Sequence, residues 1–233
     1  IGLHFFNPAP LMALVEIVPA LQTSHDVIAQ CQSWLVDWDK SAVMAKDTPG
    51  FIVNRLARPF YGEALRIAEE GEYGIETSDA AMKAVGFRMG PFELMDLIGN
   101  DVNYAVTCTV FEAFYFDPRY QPSLIQKQHV DAGWLGKKTG KGYYTYSADG
   151  ARKNEQAPSD LDATAFQYIS HRILALLINE AADALRLKIA NEQDMETAMT
   201  HGVNYPKGLL KWSNDWGINN ALKTLEDMQS LYG

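Results

Sequence analysis

The chain has 233 residues, enough to bury a sizeable core, and its 47% hydrophobic and 21% charged composition is that of a globular protein. A net charge of −9 argues against nucleic acid as a general partner, since phosphate binding needs a positive surface. No apolar run approaches the ~20 residues of a membrane helix, no signal peptide is visible, and Cys31 and Cys108 read as free thiols of a reducing, cytoplasmic compartment.

In chain order, residues 1–47 read as short alternating pieces. Leu3 to Phe6 is a β-rich run stopped by Asn7-Pro8, and Leu14 to Val18 is a second strand stopped by Pro19. Ser24-His25-Asp26 caps an expected helix over 26–38, with Val27, Ile28, Cys31, Leu35 and Trp38 on one stripe. Ser41 to Ala45 is a third strand. This β-β-α-β piece reads as the tail of an α/β sheet, and Ile1 reads as the inside of a strand, so the sequence is expected to begin within a domain.

From Asp47 the pattern turns helical. Asp47 or Thr48 suits an N-cap and Pro49 a first helical position, with Ile52, Leu56, Phe60, Ala64 and Ile67 at helical spacing. Pro59 inside that run predicts a kink. Thr77-Ser78-Asp79 is expected to cap a helix closed by Gly86, Gly90-Pro91 to open one closed by Gly99, and further helices to cover about 100–115 and 122–132. Gly136 to Gly142 is a basic, glycine-rich loop, and Tyr143 to Tyr146 reads as extended. Residues 147–160 form a polar linker, after which the helical pattern restarts. The restart repeats the first copy. Arg55, Glu63, Ala64, Asp79, Ala81 and Met82 align with Arg172, Glu180, Ala181, Glu196, Ala198 and Met199 at one offset, and Gly90 and Gly99 with Gly208 and Gly217 one residue later.

These readings predict a mainly α-helical chain. Two helical repeats are expected to follow a small α/β remnant. The expected segments are 1–47, 48–146, a linker over 147–160, and 161–233.

His4 is the first chemical candidate, although a lone histidine near an apolar strand is usually structural. Glu16 sits within Leu14-Val15-Glu16-Ile17-Val18, where a carboxylate is costly to bury without a partner. If the two strands are neighbours, Glu16 can hold one nitrogen of His4, fix its tautomer and stabilise the imidazolium. Chemistry alone leaves this level with a solvent-facing Glu16 on an edge strand. Gly136 to Lys141 mimics a phosphate loop but is one residue short and lacks a following Ser or Thr, so it is not one. No metal-ligand spacing involves His25, His129 or His201. Trp212 and Trp216, at helical spacing, read as core or interface.

Four segments resemble the L-3-hydroxyacyl-CoA dehydrogenases. They are Gly2-Leu3-His4-Phe5-Phe6-Asn7-Pro8 through Glu16, Asp47-Thr48-Pro49-Gly50-Phe51-Ile52-Val53-Asn54-Arg55-Leu56, Gly90 through Gly99, and Gly136-Lys137-Lys138-Thr139-Gly140-Lys141-Gly142-Tyr143-Tyr144. They run in that family's order over residues 1–146, and the second repeat resembles the extra copy of longer bacterial members. The resemblance implies that the α/β remnant is the end of a truncated Rossmann domain and that the repeats are like the C-terminal helical half of 6-phosphogluconate dehydrogenases. It also implies a cytoplasmic, NAD-dependent oxidoreductase of fatty-acid β-oxidation that oxidises an acyl-CoA substrate.

In that scheme His4 is the general base, Glu16 orients it, and Asn54 hydrogen-bonds nearby. Lys137, Lys138 and Lys141 could meet the CoA phosphates or simply solvate a loop. The family's Gly-x-Gly-x-x-Gly cofactor turn does not occur here, so no cofactor-binding residue is assigned and the 233 residues alone are expected to be inactive. His171 aligns with Asn54, but no second His4 or Glu16 accompanies it, so the second repeat is expected to be catalytically silent. A homodimer, or an intrachain pseudo-dimer of the repeats, is expected. The alternatives are a non-catalytic dimerisation and substrate-binding module, or the helical half of another hydroxyacid dehydrogenase.

Overall fold

A computed structural model describes residues 1–153, 158 and 162–232. The described residues are mostly helical, with one small sheet at the N-terminal end. The sheet has the order β1 (Gly2–Phe5), β2 (Leu14–Val18), β3 (Ser41–Met44); β1 runs antiparallel to β2, and β2 parallel to β3. Helix α1 (His25–Asp37) makes the crossover between β2 and β3. Then follow α2 (Val53–Leu56), α3 (Arg58–Glu70), α4 (Ile75–Ala84), α5 (Pro91–Ile98), α6 (Asn100–Ala113), α7 (Leu124–Asp131), α8 (Ala163–Arg186), α9 (Glu192–Thr197), α10 (Leu209–Trp216) and α11 (Ile218–Tyr232). Among the described residues no helix is long and apolar enough to cross a membrane. Cys31 and Cys108 are free thiols.

The chain packs as two compact units, Ile1–Ala57 with Leu177–Ala221, and Arg58–Leu176 with Leu222–Gly233. Each therefore draws on both halves of the sequence. In the first, every residue of β2 is buried, as a strand flanked on both sides demands. Val15, Ile17 and Leu35 form its core beneath Leu3, Ala42 and Met44. Arg55, 1% exposed, donates to Glu180 at 2.5 Å and Asp183 at 2.9 Å, and Glu196 accepts the Leu210 amide at 2.9 Å, at the start of α10.

In the second unit Arg172 donates to Glu63 at 2.7 Å and to both carboxylate oxygens of Glu70 at 2.7 and 2.8 Å. Burial disfavours the Arg172 charge, but Glu70 and Glu63 outweigh it and hold the guanidinium above its ordinary range. Asp79 accepts the Phe92 and Glu93 amides at 2.8 and 3.0 Å, at the start of α5. A side chain on Gly90 would overlap Asp79, and one on Gly208 would overlap Glu196, so each helix opens on the only residue that lets its carboxylate approach.

Several local expectations change. No helix starts at Asp47 or Thr48. A turn occupies 48–52, with Gly50 at φ 75° and Phe51 at φ 47°, values no right-handed helix admits. Pro59 does not kink a continuous helix but stands second in the new helix α3, where its missing N–H costs nothing. Thr77, Ser78 and Asp79 lie buried inside α4, whose N-cap is Gly74. The stripe of α1 is narrower than drawn: Cys31 and Leu35 are buried, whereas Val27 and Trp38 are 43% and 54% exposed. Tyr143 to Tyr146 pairs only through isolated bridges, Lys141 with Thr145 and Tyr146 with Arg152. Residues 154–157 and 159–161 of the linker lie outside the described residues.

Candidate active site

His4 and Glu16 are directly opposed across the β1–β2 ladder, so their side chains share one face of the sheet. His4 Nδ1 lies 2.5 Å from Glu16 Oε2. Glu16 is wholly buried, which removes the alternative of a solvent-facing carboxylate. Its burial is tolerable because its other oxygen, Oε1, accepts the Ile52 and Val53 amides, both at 2.9 Å. These amides belong to the last residue of the turn and the first residue of α2. Gly50 enters that turn with a left-handed φ, and a Cβ there would lie 2.9 Å from the Arg55 nitrogen, so only glycine fits.

Two aromatic rings pack on the imidazole, and its tip is open. The Phe6 ring meets it edge-on at 4.7 Å between centroids, and the Phe51 ring is tilted against it at 5.6 Å. The His4 side chain remains 31% exposed, and no described residue hydrogen-bonds its Nε2. A nitrogen so placed can take a proton from a bound molecule, while Glu16 holds the opposite nitrogen and stabilises the charge that results. Lys40, from the approach to β3, donates to the Ala9 and Met12 carbonyls, both at 2.8 Å, and so ties down the loop between β1 and β2.

Asn54 is the second residue of α2, half-buried and adjacent to the Val53 amide that holds Glu16. The next residue, Arg55, anchors that helix through Glu180 and Asp183. Lys137, Lys138 and Lys141 belong to the other packing unit, where each has a local partner. Lys138 pairs with Asp101 at 2.6 Å, Lys137 lies 5.6 Å from the Tyr146 ring centre, and Lys141 sits 3.5 Å over Trp134. His171 is half-buried in α8, and burial lowers its pKa. Phe6, Phe51, Lys40 and the two amides were not singled out from the sequence; Gly50 beside a bulky Phe51 was the one available sign.

The fit of a dinucleotide can be tested on the β2–α1–β3 crossover. The connection Pro19–Ser24 contains no glycine, and Asp26 puts a negative charge in the first turn of α1, where a pyrophosphate would lie. These residues of the crossover do not fit an NAD pyrophosphate.

Comparison with known proteins bears on the same segments. The family model described as "3-hydroxyacyl-CoA dehydrogenase, C-terminal domain" matches residues 50–146 and again 168–233, and "3-hydroxyacyl-CoA dehydrogenase, NAD binding domain" matches 1–48. The chain is 37% identical to a 3-hydroxyadipyl-CoA dehydrogenase of Escherichia coli K12; the match covers 100% of the chain but 66% of that protein. Among solved structures it resembles a 3-hydroxybutyryl-CoA dehydrogenase of E. coli K12, with TM-score 0.86, 36% identity and coverage of 100% of this chain and 66% of that one. It also resembles a (S)-3-hydroxybutyryl-CoA dehydrogenase from Ralstonia eutropha, with TM-score 0.60, 41% identity and coverage of 63% and 52%. The chain thus spans about two thirds of the length of the E. coli relatives.

Proposed function

This chain belongs to the 3-hydroxyacyl-CoA dehydrogenase family, and on that footing we propose that the whole protein oxidises an L-3-hydroxyacyl-CoA to the 3-ketoacyl-CoA. NAD, the family's cofactor, would supply the hydride acceptor when bound. The chain's own contribution is the proton. With Nδ1–H donated to Glu16 Oε2, the lone pair of His4 Nε2 faces outward and removes the 3-hydroxyl proton. In the reverse direction the same nitrogen returns it. The observation that carries this reading is the His4–Glu16 pair, with the carboxylate pinned by two amides and the imidazole tip left free. Asn54 is proposed to hydrogen-bond near the substrate and His4. A weaker proposal gives Lys137, Lys138 and Lys141 to the CoA phosphates; it rests on their exposure in one short turn.

We also propose that 48–146 and 161–233 are two copies of one helical element packed as an intrachain pseudo-dimer, joined by the linker 147–160 and preceded by the α/β segment 1–47. Three observations support it. One family description matches both copies. Arg55 of the first reaches Glu180 of the second, while the aligned Arg172 reaches Glu63. Asp79 and Glu196, also aligned, each cap the helix that follows a glycine. The second copy is proposed to be catalytically silent. The two free thiols support a cytoplasmic protein.

The test is oxidation of NADH by acetoacetyl-CoA in the whole protein, followed by absorbance. The acyl groups named for the relatives make short chains the first to try. His4→Gln is expected to lower turnover by about a hundredfold or more. Turnover unchanged by that substitution would overturn the reading.

A further inference from the structure

We propose that Phe51 is a positioning residue for His4, and that the strained turn Gly50–Phe51 is a double clamp on the catalytic pair. The inference rests on the reading of His4 as the base. The turn does two things. At its end the Ile52 and Val53 amides fix Glu16 Oε1, and its Phe51 ring packs on the imidazole that Glu16 holds.

The backbone conformation is what singles Phe51 out. Phe6 lies beside His4 because it stands two residues further along the chain, where β-type alternation returns to the same side. Phe51 has no such reason to be there. It comes from 47 residues away in sequence and adopts φ 47°, a left-handed value that bulky side chains avoid. A turn required only to present two amides to Glu16 would take Gly or Asn at this position without strain. The strained Phe stands where its ring meets the imidazole, and backbone strain of this kind is found where geometry serves function. The Phe6 and Phe51 rings both pack on the imidazole and resist its rotation about χ2. Nε2 is thereby kept aimed at one place, and Nδ1 is kept on Glu16.

The experiment replaces Phe51 with Asn, which relieves the backbone, and with Tyr, which restores the ring. In the whole protein Phe51→Asn is expected to keep or raise thermal stability while lowering kcat about tenfold or more, with KM changed less. Phe51→Tyr is expected to recover most of kcat. A ring that merely fills space would give the opposite split, with lost stability and kcat retained by the folded fraction.

A second readout needs no turnover. The 15N imidazole shifts of His4 should report one tautomer, protonated on Nδ1, in the native protein, and a mixture in Phe51→Asn. An unchanged tautomer pattern together with unchanged kcat in Phe51→Asn overturns the proposal. The two readings separate through His4→Gln. If that variant is inactive while Phe51→Asn is fully active, only the positioning role fails. If His4→Gln is itself active, the base assignment fails.

Discussion

Glu16 and Asp79 are two buried carboxylates held in nearly the same way. Each accepts two backbone amides from the start of a helical segment, Ile52 and Val53 for Glu16, Phe92 and Glu93 for Asp79. Each has one side-chain partner besides, the His4 imidazole at 2.5 Å and the Tyr144 hydroxyl at 2.7 Å. The third partner separates them. Tyr144 is buried and ends in Asp79, and burial followed by the Asp79 charge pushes its hydroxyl well above the usual range. His4 has a second nitrogen that looks outward. A carboxylate holding two amides is thus a structural device the fold uses more than once, with Glu196 a third instance. It becomes part of a proton-transfer site only where its remaining partner can exchange a proton with something outside.

The largest effect that would sharpen this contrast is expected from Glu16→Gln. Glutamine can keep the amide contacts through its oxygen, but its NH2 then faces His4 Nδ1 and donates to it. That forces the proton onto Nε2, the nitrogen that must be empty to act as a base. Turnover should fall about 10²–10⁴-fold with substrate KM changed little. Equal losses in kcat/KM and thermal stability, with kcat intact, would show that Glu16 is no more than another Asp79.

The matching change, Asp79→Asn, should leave kcat within about twofold and appear in stability instead. Burial pushes the Asp79 carboxyl up to about 7, against the pull of Tyr144 and the two amides. An acid whose pKa is higher in the folded than in the unfolded state binds more protons when folded between the two values. Its contribution to stability therefore declines as pH rises from about 4 to about 7, by up to about 1.4 kcal/mol per pH unit. Denaturant melts across that range should show a decline in the native protein and a flatter profile in Asp79→Asn. Equal slopes would mean that Asp79 is already charged at pH 4.

Legibility in the sequence divides along the same line. β2 was readable because Pro19 stops a run of five apolar or awkward positions, and Glu16 stood out as a charge among them. Strand adjacency left the His4–Glu16 pairing level with a solvent-facing Glu16, and only the resemblance to the dehydrogenase family singled out His4. The amides that make Glu16 tolerable were not readable, since they depend on a left-handed turn at Gly50 and Phe51 that periodicity reports as helix. Asp79 was misread as a local cap because its partners, Phe92 and Glu93, lie 13 and 14 residues ahead and meet it only through tertiary packing. The lysines of 137–141 were recognised as a basic turn, but their pairing with Asp101 and Trp134 depends on neighbours that composition does not rank.

The smallest effect separates His4 from His171, which aligns with Asn54 in the second copy. Burial lowers the His171 pKa. A base with a lower pKa when folded binds fewer protons than the unfolded chain just below its ordinary value near 6.5. Its contribution to stability is present above about pH 6.5 and is lost as pH falls towards the folded value. His171→Asn should remove that small acid-side loss and leave kcat unchanged. The check is a pair of thermal melts at pH 7.5 and pH 5.5, together with the acetoacetyl-CoA assay. A drop in kcat comparable with that of Glu16→Gln would mean that the second copy takes part in the chemistry.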